Sequence, residues 1–260
     1  MTGLRIQTGV VICLLSLSHW LLSCSAPGEK SLTIAAAANL QPVMDRIINR
    51  FDSIYGIKSQ LILNASGKIT AQILHGAPYD VFLSADMNFP QQLTEAGVTA
   101  SNPVVYTRGA LVLLDLSGSP ITSLNRLLNP DIRHIAVANP EVAPYGRAAI
   151  ECLENMGILD QVRSKLVYGE SIGQTTQFVQ SGAAELGFTA GSYRFSTSLP
   201  PTTHWLTIPD SLYHPIEQGG VIVLHNGAPH PQAESFLSFL TSPTAQEIFL
   251  KSGYLPVVNE

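Results

Sequence analysis

Short apolar runs alternate with amphipathic stretches along nearly the whole chain, and this alternation restricts the fold more than any other feature. LTIAAAA (32–38) reads as a strand, and LQPVMDRIINRFDSIYG (40–56) as an amphipathic helix stopped by Gly56. Strand patterns follow at 58–66 and 80–86, with helix patterns at 68–76 and 88–97. ALVLLDL (110–116) is a further strand, SLNRLLNP a helix stopped by Pro130, and HIAVANP (134–140) a strand. The segments 146–157, 165–171, 174–182 and 185–191 then read as helix, strand, helix, strand. The last strand, GGVIVL (219–224), precedes two helices, PQAESFLSFLTS and PTAQEIFLKSG. Strands alternating with helices imply parallel sheets with crossover helices, an α/β class. Because the theme occurs twice, two lobes are expected, 31–106 plus 216–260 and 107–215, with a ligand cleft between them.

The first thirty residues stand apart. Arg5 precedes an apolar block from Val10 to Leu22, followed by Ser23-Cys24-Ser25. The block is shorter than the ~20 residues that span a bilayer, so 1–23 reads as a signal segment. LLSC resembles the lipobox of bacterial lipoproteins, in which the Cys, here Cys24, is lipidated and becomes the new N-terminus. Residues 24–30 would then form a lipidated tether. Of three Cys only Cys152 remains in the body of the chain; a lone thiol makes neither an internal disulfide nor a cysteine metal site. The seven His are scattered, without metal-ligand spacing. Charged residues are only 13% of the chain, the net charge is −5, and no basic cluster suits nucleic acid.

In open parallel sheets ligands sit where strands end and the next helices begin. Four such junctions are rich in small or polar residues: Ala38-Asn39-Leu40, Ala65-Ser66-Gly67, Pro144-Tyr145-Gly146 and Ser171-Ile172-Gly173. The first N–H groups of a helix lack internal partners and carry partial positive charge, so these corners hold anions without Lys or Arg. The bland reading is that Asn39 and Ser66 are helix N-caps and the glycines ordinary turn residues.

From about residue 31 onward the chain resembles the periplasmic molybdate-binding proteins of ABC-type importers. The resemblance rests on AAAANL (35–40), NASGKITAQI (64–73), GAPYDVFLSAD (76–86), ANPEVAPYGRAA (138–149) and ELGFTAG (185–191). It implies the two-lobed type II periplasmic binding-protein fold, no catalysis and no cofactor. The implied ligand is molybdate or tungstate, bound as an oxyanion through Asn39, Ser66, Tyr145 and Ile172, with Ala38 adding a backbone contact. The implied partner is an ABC transporter permease, with the protein a monomer tethered to a membrane. The chain departs from part of the family in carrying Asn39 where many members have Ser, and Ala190 where some have a ligand Tyr. Tyr145 then supplies the hydroxyl that Ala190 lacks, an exchange between facing positions.

Molybdate and tungstate are fully deprotonated near neutral pH and suit a site made of donors. Phosphate retains a proton and wants an acceptor; Asp80, Asp86, Glu141 and Glu170 flank these loops, so composition leaves phosphate open. Sulfate is proton-free but smaller, and its rejection would depend on cavity size. An enzyme with Ser66 as nucleophile would need a base at motif spacing, which is lacking. An effector module of a transcription regulator conflicts with the secretion signal. A binding protein for another solute, sulfate or phosphate foremost, is the remaining alternative.

Overall fold

The computed structural model describes residues 31–118 and 120–257. Ten strands form two five-stranded sheets. The first holds β1 (Leu32–Ala37), β2 (Ser59–Asn64), β3 (Val81–Leu83), β4 (Val104–Gly109) and β10 (Ile216–Ile222), in the order β2-β1-β3-β10-β4. The second holds β5 (Leu111–Asp115), β6 (Ile135–Ala138), β7 (Leu166–Gly169), β8 (Leu186–Ala190) and β9 (His204–Thr207), in the order β7-β6-β8-β5-β9. Each sheet has the same plan. Three strands run parallel, and a fourth lies antiparallel beside them with a fifth at its edge.

The helices follow from the sequence pattern. In α1 (Gln41–Tyr55) the apolar residues Val43, Met44, Ile47, Ile48 and Phe51 recur at helical spacing and are all buried. Gly56, with φ +69°, ends the helix in the left-handed conformation that glycine adopts without strain. The other helices are α2 (Ser66–Leu74), α3 (Asn88–Glu95), α4 (Pro144–Asn155), the single turn α5 (Leu159–Val162), α6 (Ile172–Gln180), α7 (Ala233–Leu240) and α8 (Pro243–Leu250). Residues from α7 and α8 share a core with β1 and α1, and Phe236 meets Phe51 edge-on at 4.9 Å. A separate core forms around β5, β6, β8 and α4. No described helix is long and apolar enough to cross a membrane.

Four local expectations change. SLNRLLNP forms only a 3-10 turn, Leu124–Leu128, with the Ser123 side chain accepting from the Asn125 N–H. Two strands, β4 and β9, were not anticipated. The final strand begins at Ile216, not 219, and its register slips between Gln218 and Gly219. The chain was expected to cross near 106. It stays in the first sheet to Gly109 and enters the second at Leu111. Gly109 pairs with Ile216, so the outgoing and returning strands lie side by side.

Candidate functional site

The four junctions singled out in the sequence all become helix starts. Ala38–Leu40 is a 3-10 turn leading into α1, α2 begins at Ser66, α4 at Pro144 and α6 at Ile172. All four converge on one cavity between the sheets, lined by Ala37, Ala38, Asn39, Ala65, Ser66, Ala85, Ala143, Pro144, Tyr145 and Ile172. Every residue expected to bind the ligand is therefore on this wall: Ala38, Asn39 and Ser66 from the first lobe, Tyr145 and Ile172 from the second. All five are buried, from 0% exposure for Asn39 to 8% for Ala38. The wall carries no Asp, Glu, Lys, Arg or His. The centre of a water-sized sphere has about 10 Å³ to move in, close to what one ordered water needs. Any larger occupant, a tetrahedral oxyanion included, requires the walls to ease apart.

The two hydroxyls on the wall keep their protons available. Ser66 Oγ accepts the Ala85 N–H at 3.0 Å, so its own hydroxyl proton is free to donate. Tyr145 Oη accepts from Gln218 Nε2 at 3.3 Å. Burial pushes the Tyr145 pKa well above the usual phenol value, so the hydroxyl stays protonated and can donate. Asn39 donates through Nδ2 to Gln218 Oε1 at 3.0 Å. Its Oδ1 is buried without a partner, a state that costs about 1–3 kcal/mol. The Asn39 carbonyl accepts from Tyr254 at 2.7 Å and Ser192 at 2.8 Å, and the Ala38 carbonyl from Tyr193 at 3.1 Å. With those oxygens engaged, the first turn offers the cavity its N–H groups.

The lobes are fastened around this cavity. Gly67 N donates to Val142 O at 2.9 Å. A Cβ on Gly67 would stand 3.0 Å from Val142 Cα, so glycine permits the close approach. At the rim Lys68 pairs with Glu170, and Arg147 with Asp86. The Arg147 guanidinium also lies 5.4 Å over the Phe89 ring.

Several residues of the site were not foreseen. Gln218, fully buried on β10, touches both Asn39 and Tyr145 and accepts from Tyr106 Oη at 3.1 Å. Gly109 gives Tyr145 its room, since a Cβ there would collide with the Tyr145 hydroxyl. Gln218 follows Glu217 and precedes the apolar run GGVIVL, so no local pattern singled it out. Ala190 ends β8, fully buried, and is not on the cavity wall. Cys24 lies outside the described residues. Among the described residues no group of three or more His, Cys, Asp or Glu is placed to hold a metal ion.

Two α/β lobes joined by paired crossing strands, closed on a small donor-lined cavity, define a solute-binding protein of the type II periplasmic class. Residues 32–255 match the model of the bacterial extracellular solute-binding protein family. The chain is 36% identical over 242 residues to the molybdate-binding protein of Azotobacter vinelandii, covering 92% of this chain and 95% of that one. It is 35% identical over 232 residues to the molybdate-binding protein of Rhodobacter capsulatus, covering 89% and 90%. Its fold matches the solved periplasmic molybdate-binding protein of Azotobacter vinelandii with a TM-score of 0.77 at 31% identity, over 88% of this chain and 100% of that one. The chain belongs to the bacterial extracellular solute-binding protein family, whose members bind and do not catalyse.

Proposed function

We propose that this protein captures molybdate or tungstate outside the cytoplasm and delivers it to the permease of an ABC-type importer. The carrying observation is the convergence of four helix starts from both lobes on one uncharged, donor-bearing cavity. The Ser66 and Tyr145 hydroxyls, the Asn39 amide and the backbone N–H of Ile172 would hold the oxyanion, with Ala38 adding a backbone N–H. Hydrogen bonds to a charged acceptor are roughly twice as strong as neutral ones, and helix starts favour anions. Such a site therefore offsets the dianion's desolvation without a cation. No carboxylate on the wall stands ready to accept a ligand proton, which disfavours phosphate. The two relatives of about one-third identity, both molybdate-binding proteins, support the same ligand class.

Calorimetric titration of the soluble part with molybdate, tungstate, sulfate and phosphate tests this reading. Tight one-to-one binding of the first two, with sulfate and phosphate far weaker, is expected. Sulfate or phosphate binding as tightly as molybdate would move the assignment to that oxyanion. We further propose that Cys24 carries the lipid anchor and that the protein works as a monomer, since both lobes of its site come from one chain.

A further inference from the structure

Behind Asn39 and Tyr145 lie Gln218 and Tyr106, two buried side chains that the oxyanion reading does not use. Gln218 Oε1 accepts from Asn39 Nδ2 at 3.0 Å and from Tyr106 Oη at 3.1 Å, while Gln218 Nε2 donates to Tyr145 Oη at 3.3 Å. This arrangement commits one Asn39 N–H to Gln218 and leaves Asn39 Oδ1, on the other arm of the amide, buried and unpartnered. Asn39 lines the cavity and Gln218 does not. An amide's oxygen and nitrogen exchange places on a half turn with almost no change of shape. If both amides turn together, every bond except that from Gln218 Nε2 to Tyr145 Oη has a counterpart. Gln218 Nε2 then donates to Asn39 Oδ1. Tyr106 gives its proton to the Ser84 carbonyl, which it already reaches at 3.1 Å. Asn39 presents NH2 to the cavity in place of an oxygen. The Tyr145 proton goes to a charged oxyanion in preference to a neutral amide oxygen.

We propose that Gln218 is a positioning residue that sets the proton preference of the site by turning in concert with Asn39. With the Asn39 oxygen toward the ligand, the site accepts a proton and suits an oxyanion that carries one. With both amides turned, the site only donates and suits a bare dianion. A single amide, out of contact with the ligand, thus discriminates ions of equal charge and like geometry. The inference rests on the oxyanion reading of the cavity.

The test compares molybdate with hydrogen phosphate from about pH 8 to about pH 9.5, where both carry two charges and only phosphate carries a proton. Replacing Gln218→Glu places a carboxyl of the same shape behind Asn39. Once ionised it only accepts, so it holds the Asn39 NH2 back and keeps Oδ1 toward the ligand. Its negative charge repels both dianions alike, so the ratio of the two affinities reports proton preference alone. In the parent the molybdate-to-phosphate ratio should stay flat with pH. In Gln218→Glu it should fall by about tenfold or more as the carboxyl ionises, the size expected for a lost hydrogen bond to a charged group. A ratio within about twofold of the parent throughout overturns the proposal, because it shows a merely structural Gln218.

A second measurement does without Gln218→Glu, should that variant fold poorly. In isotope-labelled parent protein, molybdate should shift the side-chain NH2 resonances of both Asn39 and Gln218, the latter recognised by their loss in Gln218→Met. Gln218 resonances unmoved by saturating molybdate also overturn the proposal. A parent that binds neither anion is a different failure, that of the oxyanion reading, and it is evident before any variant is compared.

Discussion

Tyr145 shows how one side chain depends on residues far away in the chain. Its hydroxyl reaches the cavity because Gly109, on the crossing strand β4, has no Cβ to block it. Gln218, on the returning strand, occupies one of its lone pairs. Its raised pKa comes first from desolvation, so no change of ionisation is expected through the physiological range. Replacing Tyr145→Phe removes the donated bond while keeping the ring that fills the second-lobe core. The expected cost is roughly 1.5–3 kcal/mol for a bond to a charged acceptor, about tenfold to a hundredfold in molybdate affinity. Calorimetry on the folded variant checks it, and an affinity within about twofold of the parent would show Tyr145 to be wall and not ligand.

At the scale of elements, the closing contacts join the start of one helix to a loop of the opposite lobe. Arg147 in α4 pairs with Asp86, which follows β3, and Lys68 in α2 pairs with Glu170, which follows β7. Asp86 is the more telling partner. Burial raises its pKa, and the Arg147 charge opposes that rise without cancelling it. A carboxyl held above its ordinary pKa by burial favours the packed form at low pH and loses that contribution as pH rises through the raised value. Arg147→Gln removes the opposing charge and raises the Asp86 pKa further. Molybdate should then dissociate faster at neutral pH, by no more than about tenfold given the solvent exposure of Arg147. The loss should shrink as the pH falls from neutral into the acid range and Asp86 takes up its proton. Stopped-flow release measured across that range decides the matter, and a pH-independent loss would exclude Asp86 as the cause.

The same scale explains what could be read from the chain alone. Starts of α2, α4 and α6 were legible because Ser66-Gly67, Pro144 and Ser171-Ile172-Gly173 are local punctuation. Strand β4 was not, because it pairs with β10 and bridges to Leu255, both more than a hundred residues later. Strand β9 is a sheet edge paired only with β5. The role of Gln218 was hidden for the same reason: its partners Asn39, Tyr106 and Tyr145 are set by the packing of two lobes, which leaves no spacing in the sequence.

For the whole molecule, anchoring and closure are the properties left to measure. The lipobox-like LLSC predicts that Cys24→Ala abolishes palmitate labelling of the protein in cells. Equal labelling of parent and variant would remove the lipid anchor from the proposal. Closure is argued from the cavity. The lobes touch through Gly67 with Val142 and through two rim ion pairs, and helix starts on opposite sides face each other across little space. Uncompensated, those N–H groups and partial positive charges oppose one another. A dianion between them turns that opposition into attraction and ties both lobes to one ion. Binding only to the folded, closed form adds RT ln(1 + [L]/Kd), about 2.7 kcal/mol at a hundredfold excess over Kd. For a chain of this size each kcal/mol raises Tm by roughly 2–4 °C. Molybdate or tungstate at that excess should therefore raise Tm by about 5–10 °C, with sulfate at equal concentration raising it far less. The shift should persist in high salt, because the contacts are buried and poorly screened. A shift that sulfate reproduces, or that vanishes in about 0.5 M sodium chloride, would mark a nonspecific surface effect of anions and not capture between the lobes.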